Sequence, residues 1–211
     1  MAETNKTRVY QEGNYGMKVF KIDESTGNYA QTGTAVNGLV TVDITFSRTV
    51  TNTAADDVVD YLTRRSPERG EGTITILGLS LKDYKALYND IVDENNVVVV
   101  GKKRMAQKLG IIFYNHEESA EGSSENMFVL PNCSLEIPNI STATIAQDDT
   151  TTRPFELAVT CNAKTFGEGA NADRFTYAIL NSVDNADIYT TSRDKMYIPT
   201  VTAQASTVEE L

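Results

Sequence analysis

The lone histidine, His116, precedes Glu117 and Glu118, a run whose imidazole and carboxylates could hold a divalent metal or set a base beside its orienting group. Zinc sites take three or four protein ligands, and the HExxH spacing fails because Ala120 stands where the second histidine belongs. His116 therefore reads as a surface histidine in an acidic loop. Asp56, Asp57 and Asp60 offer the oxygens a hard cation prefers, but Val58 and Val59 intervene and no Gly or Glu falls at EF-hand offsets. They read as a solvated or inter-subunit acidic loop. Lys102-Lys103-Arg104 is the one basic cluster and reads as a solvated turn after a strand. Gly-rich phosphate cradles, usefully placed Cys-His pairs and GxSxG elbows are all missing. Glu136 and Glu156, on polar phases of late strands, are the carboxylates a hydrolase would use; their plain role is to keep a surface polar. The expectation is a protein without catalytic residues, metal or cofactor.

Bulk properties narrow the class further. A chain of 211 residues, 40% hydrophobic and 23% charged, can bury one good core. Its net charge of −10 repels a phosphate backbone and argues against specific nucleic-acid binding. Cys133 and Cys161 fall on apolar phases of strands, where reduced cysteines act as small hydrophobes. No charged start leads into an apolar run and no stretch is long enough to cross a bilayer, so synthesis and folding in a cytoplasm are expected.

The elements that would position any site are mostly strands. Val40, Val42, Ile44 and Phe46 alternate with Thr41, Asp43 and Thr45, and the pattern resumes in Thr73-Ile74-Thr75-Ile76. Between them, 47–72 is charged, poor in core-forming residues and too long for a tight turn, so it is expected to be a long loop gripping another subunit or partner. A first strand is expected over 15–22, with Tyr15, Met17 and Val19 opposed to Phe20 and Ile22, then a turn at Ser25-Thr26-Gly27-Asn28.

One helix is expected over 81–91, capped by Ser80 with Asp83 in capping-box position and Leu79 and Tyr84 spaced as a hydrophobic staple. Its stripe is Leu81, Tyr84, Leu87, Tyr88 and Ile91. Val97 to Val100 reads as a buried strand, 109–114 as another, and 116–126 as a mobile acidic loop. Further strands are expected over 127–130, 133–137, 140–146 and 155–163, separated by Pro131-Asn132, Pro138-Asn139 and a turn over 148–154.

The predicted fold is mainly β, a β-sandwich of antiparallel sheets with one flanking α-helix and a long inter-strand loop. An N-terminal arm (1–12), a body (13–180) and a C-terminal arm (181–211) complete the layout.

Strand, long loop carrying Ala55-Asp56-Asp57, re-entry through Gly70-Glu71-Gly72-Thr73-Ile74-Thr75-Ile76-Leu77-Gly78-Leu79, and a helix directly afterwards form an ordered series. Together with the segment 155–164 before a Gly-Asn-Ala-Asp-rich stretch, it resembles the major tail proteins of long-tailed bacteriophages, over most of the chain up to about Ala178.

The resemblance implies a tail tube protein whose subunits join into hexameric rings. Their sheets merge into a barrel around a channel, and the rings stack through the long loop and arms. It implies a virion tail location after assembly in a host cytoplasm, with tape measure, tail-terminator and baseplate proteins as partners. DNA would pass without specific binding: a hexameric ring would carry roughly −60 in formal charge. No membrane is involved.

Channel-lining candidates are Thr41, Asp43, Thr45, Thr73 and Thr75, the polar strand phase, which equally suits outer solvent. Inter-ring candidates are Asp56, Asp57, Asp60, Tyr61, Arg64, Arg65 and Arg69, whose acidic and basic halves would pair across subunits at about 0–1 kcal/mol per exposed pair. Two other readings stand beside it. One is a tube of a contractile tail or secretion device. The other is a monomeric β-sandwich binding module, for which the ten tyrosines speak and the lack of Trp speaks against.

Overall fold

A computed structural model describes residues 10–55, 58–88, 91–100, 107–119, 122–138, 154–167 and 172–200. The fold is mainly β and antiparallel. Its strands are β1 (Tyr10–Lys21), β2 (Thr34–Val36), β3 (Leu39–Ser47), β4 (Val50–Ala55), β5 (Val58–Arg65), β6 (Arg69–Ile76), β7 (Lys108–Ser119), β8 (Gly122–Leu135), β9 (Phe155–Asn162), β10 (Lys164–Phe166), β11 (Asp173–Phe175) and β12 (Ala178–Asn181). Two helices among the described residues, α1 (Leu81–Leu87) and α2 (Ala186–Ser192), complete it, one more than the sequence suggested.

Eight strands form one sheet in the order β2-β1-β7-β8-β9-β6-β3, with β12 added to the first half of β8; β10–β11 and β4–β5 are separate hairpins. Although β1 and β3 lie toward opposite ends of this path, they pack against each other, so one sheet curls to supply both layers.

Apolar clusters cover both faces of its centre. Met17, Val19, Ile111, Phe113 and Leu130 join the larger cluster with Ile74, Ile76, Leu157 and Val159, under Ala86, Leu87, Tyr88 and Ile91. Phe20, Ile112, Tyr114, Met127 and Val129 join the smaller one with Leu180, Tyr189 and Met196. Burial of both faces explains why 109–114 is almost continuously apolar.

The cap on α1 forms as expected. Ser80 Oγ accepts from the Asp83 N–H, and an Asp83 carboxylate oxygen accepts from the Ser80 N–H at 2.8 Å. Leu79 and Tyr84 both pack on the larger cluster. The helix stops at Leu87, four residues early, yet Ile91 still reaches the core.

Other expectations are corrected. The span 47–72 is a hairpin rather than a loop, because β4 and β5 pair from Val50↔Arg65 to Ala55↔Val58. The acidic stretch 116–126 likewise belongs to the β7–β8 hairpin, with His116 opposite Glu125. Backbone ladders form there although Val50 to Thr53, Leu62 to Arg65, His116 and Glu118 are exposed. Val97, Val99 and Val100 are 52%, 55% and 61% exposed, not a buried strand. Asp93 Oδ1 accepts from the Asn95 and Val97 N–H groups and folds the segment into a turn, with Asn96 at φ 61°.

Pro131-Asn132 does not break β8; the missing donor is absorbed where the register shifts opposite Gly110. Two bulges invert parity. A shift between Leu39 and Thr41 leaves Val40 exposed while Leu39 packs on the core, and Gly16, at φ +59°, sends Tyr15 to the opposite cluster from Met17.

Within the expected arms, residues 10–12 belong to β1, and Tyr189 and Met196 are buried; 1–9 and 201–211 lie outside the described residues. The expected strand over 140–146 and most of the turn over 148–154, with Lys102, Lys103 and Arg104, lie outside the described residues.

Gly72 sets how closely β3 and β6 approach. A Cβ there would overlap the Asp43 carbonyl oxygen and sit 2.7 Å from Ile44 Cα, both backbone atoms that cannot swing aside. Gly72→Ala is expected to lower unfolding free energy by about 3 kcal/mol or more in urea titrations. Gly78→Ala, with nothing within 4 Å of its Cβ, serves as the control and is expected to change it by less than about 1 kcal/mol.

Candidate assembly surface

Period-two geometry on β3, β6 and β9 divides each strand between core and outside. Val42, Ile44, Phe46, Ile74, Ile76, Leu157, Val159 and Cys161 turn to the larger cluster. The opposite phase carries all five channel candidates on one face: Thr41 pairs with Thr75 and Asp43 with Thr73, and Thr45 follows beside Glu71. β9 extends this face, setting Glu156 beside Thr75 and Thr160 beside Glu71.

Thr41, Asp43 and Thr45 are exposed, and Thr73 and Thr75 are half-buried. Glu136, whose N–H donates to Ala158 O just past the end of β8, falls diagonally from Glu156 on the same face. Arg69 pairs with Glu71 at 2.9 Å, and among the described residues no ion pair compensates Asp43, Glu136 or Glu156.

The ribbon β3/β6 runs on beyond the body. After Ser47↔Arg69 the ladder is interrupted, Ser66 N–H donates to Thr49 O at 2.9 Å, Arg48 and Glu68 pair at 3.6 Å, and β4/β5 then resume it. Among the described residues β4 and β5 form no ladder with any other strand. Val50 is 54% exposed and Leu62 44% exposed.

Of the inter-ring candidates, Arg64 and Arg65 lie on this arm, exposed and opposite Thr51 and Val50. Asp60 and Tyr61 are placed only as backbone of β5, and Asp56 and Asp57 fall outside the described residues. Arg69 is set apart from the group, at the root of the arm in β6 with its own partner.

A second cluster had no sequence signal beyond scattered tyrosines. Tyr15 stacks between Tyr114, at 5.6 Å, and His116, at 4.7 Å, while Tyr189 meets Tyr114 edge-on. His116 is exposed, as expected of a surface histidine, and its Nδ1 lies 4.0 Å from Glu125. The Tyr189 hydroxyl donates to Glu125 Oε2 at 2.7 Å. The Tyr15 hydroxyl facing it and the Tyr189 hydroxyl bonded to it, helped by Arg193 and His116, hold the Glu125 carboxyl below the usual carboxylate range. Tyr189 has the better geometry, because the Tyr15 oxygen is buried without a well-aligned partner. Burial first, then Glu125, pushes the Tyr15 and Tyr189 phenols upward. This cluster anchors α2 to β1, β7 and β8.

Near the β1–β2 turn a cavity of about 770 Å³ is lined by Lys108, Lys164, Tyr29, Phe166 and Phe175. Lys164 donates to Gly27 O and sits 3.9 Å over the Tyr29 ring, which fastens β10 to that turn. Burial, and secondarily Lys108, lowers its amine pKa.

No group of three or more His, Cys, Asp or Glu among the described residues is placed to hold a metal. No helix among them is long and apolar enough to cross a membrane. No protein-family model matches the chain, and no curated protein matches it in sequence.

The depressed Glu125 carboxyl ties the α2 anchor to pH. Its folded pKa lies below the unfolded value near 4.5, so its contribution is complete above that value and is lost as pH falls through the folded one. Urea midpoints of wild type and Glu125→Gln are expected to differ most above the unfolded pKa and to converge as pH falls through the lowered folded pKa. A difference that stays constant with pH would remove the assignment.

Proposed function

We propose that this chain is a structural tube subunit, a tail tube protein of the long-tailed phage type, with no catalytic role. The carrying observation is that one ribbon, β3/β6, presents the acidic and threonine-rich face and then runs on as the arm β4/β5, which among the described residues forms no ladder with any other strand.

Each feature has a physical use in a ring. An isolated two-stranded hairpin is at best marginally stable in water, so packing the arm on a neighbouring copy would supply what it lacks. β3 ends the hydrogen-bonded path and has no strand partner on its other edge among the described residues. Pairing with the next subunit would close that edge and abolish an aggregation template.

On this reading the face carrying Thr41, Asp43, Thr45, Thr73 and Thr75 lines the channel. Its acids repel phosphate while its hydroxyls keep it wetted, so DNA slides along a wall that does not hold it. Hexameric rings, their stacking, the virion tail location and the tape measure, terminator and baseplate partners belong to the same proposal. A monomeric binding module is what failure of the assembly test would favour.

Negative-stain electron microscopy with light scattering over a concentration series tests the proposal. Hollow rings or tubes of uniform diameter are expected; a monomer at every concentration, also when seeded with purified tails, would refute it.

Replacing residues 50–65 with Asn-Gly joins Thr49 to Ser66, which are already hydrogen-bonded. That variant is expected to keep its circular dichroism spectrum and its melting temperature within about 3 °C, but to form no tubes. For the wall, Asp43→Lys with Thr75→Lys is expected to assemble and to retain DNA at about 50 mM salt, releasing it near 200 mM. Retention by the wild-type tube under the same conditions would refute the lining assignment.

A further inference from the structure

We propose that Cys133 and Cys161 are a dithiol that closes to a disulfide, a reversible covalent staple joining β8 to β9. The two residues are directly opposite in the β8–β9 register and their sulfurs lie 2.8 Å apart.

Register also fixes the type of site. Glu136 N–H donates to Ala158 O, which makes 136/158 a hydrogen-bonded pair; counting along the alternation, Cys133/Cys161 is a non-hydrogen-bonded pair. Such pairs bring Cα atoms to about 4.5 Å with the side chains closest together, inside the range a disulfide spans. Both residues are buried in the larger cluster, with no titratable partner except each other among the causes of the upward push on the Cys133 thiol.

Position gives the staple a purpose. β8 meets β9 through three residue pairs, continued by Glu136/Ala158 just past the end of β8, and the path order makes this short ladder the one joining β2-β1-β7-β8 to β9-β6-β3 among the described strands. The second half carries the acidic face and the root of the arm. A bond here would therefore hold the arm-bearing half to the rest of the sheet when the chain is heated.

The oxidant is a small-molecule disulfide. One thiolate attacks it, releasing one small thiol and forming a mixed disulfide; the second thiolate displaces the other small thiol, so two protein protons are lost and two small thiols leave. Burial makes the thiols slow until the short seam opens.

The inference is independent of the tube reading, and its test uses the full-length monomer or assembly alike. The chain is incubated with excess hydroxyethyl disulfide, both natively over days and in urea followed by refolding, then read by intact mass, thiol titration and melting. A mass 2 Da lower, no titratable thiol, a native circular dichroism spectrum, a melting temperature higher by roughly 5–10 °C and full reversal by dithiothreitol are expected. Cys133→Ala and Cys161→Ala are expected to show neither the 2 Da loss nor the shift. An oxidised chain that fails to regain the native spectrum or melts lower than the reduced one overturns the inference. So does a native chain that keeps two free thiols throughout.

Discussion

Three residue pairs between β8 and β9 carry the ladder connection between the two halves of the sheet, because β12 takes up the other half of the same β8 edge. Ladder bonds of this kind contribute about 1 kcal/mol each, so backbone pairing alone would leave the seam weak. Burial is larger. Leu157, Ile74, Ile76 and Leu135 lie on or beside the seam in the larger cluster, and each such side chain contributes about 1.5–3 kcal/mol on full burial. Helix α1 reinforces the join by dropping Tyr88 onto the core and donating its hydroxyl to Glu136 O at 2.6 Å. The halves are thus held by the cluster beneath them more than by the strands that touch.

That dependence explains why the β3–β6 contact is so close. Gly70 lets the Phe46 ring lie across its strand, and Gly72 lets the β3 backbone press against β6. The aromatic ring then continues outward to Tyr177, 4.8 Å away between centroids, sealing the cluster where β9 and β12 diverge. Alternation on the same strands turns Thr41, Asp43, Thr73, Thr75 and Glu156 outward. Core and acidic face are two sides of one requirement, that these strands be half-buried.

The alternation was legible wherever one face of a strand is buried and the other is wet, as in Thr73 to Ile76 and in Phe155 to Cys161, and from it the five channel candidates could be grouped. It failed at both extremes. Around Ile111 to Tyr114 both faces are buried and the pattern vanishes into an apolar run, whereas Val50 to Thr53, Leu62 to Arg65, His116 and Glu118 are exposed, so hairpins looked like loops. Bulges hid the parity of Val40 and Tyr15, since a single extra residue leaves no compositional mark. The Tyr15–Glu125–Tyr189 contact brings together residues from 64 to 174 positions apart, on two strands and a helix, which a local reading does not reach. Arg69 looked like part of a charged loop for the same reason; the ladder, not its charge, assigns it to β6.

The electrostatics constrain how such a subunit could assemble. Copies at −10 each repel one another, and at physiological salt the repulsion is screened beyond about 8 Å but not at contact. Arg64 and Arg65 offer two cations per arm, yet exposed ion pairs contribute only about 0–1 kcal/mol each, too little to offset the six crowded acidic faces that the tube reading would bring together. In the tube reading apolar and backbone contacts would carry the rest: Val50 and Leu62 stand exposed on the arm, and the edge of β3 that has no strand partner among the described residues lies at its root. Raising salt would then weaken the arginine contacts and relieve the acidic repulsion together, with the second effect dominant because the acids outnumber the arm's cations. In the tube reading, assembly is favoured by salt, opposite in sign to the salt dependence of a basic protein gripping DNA.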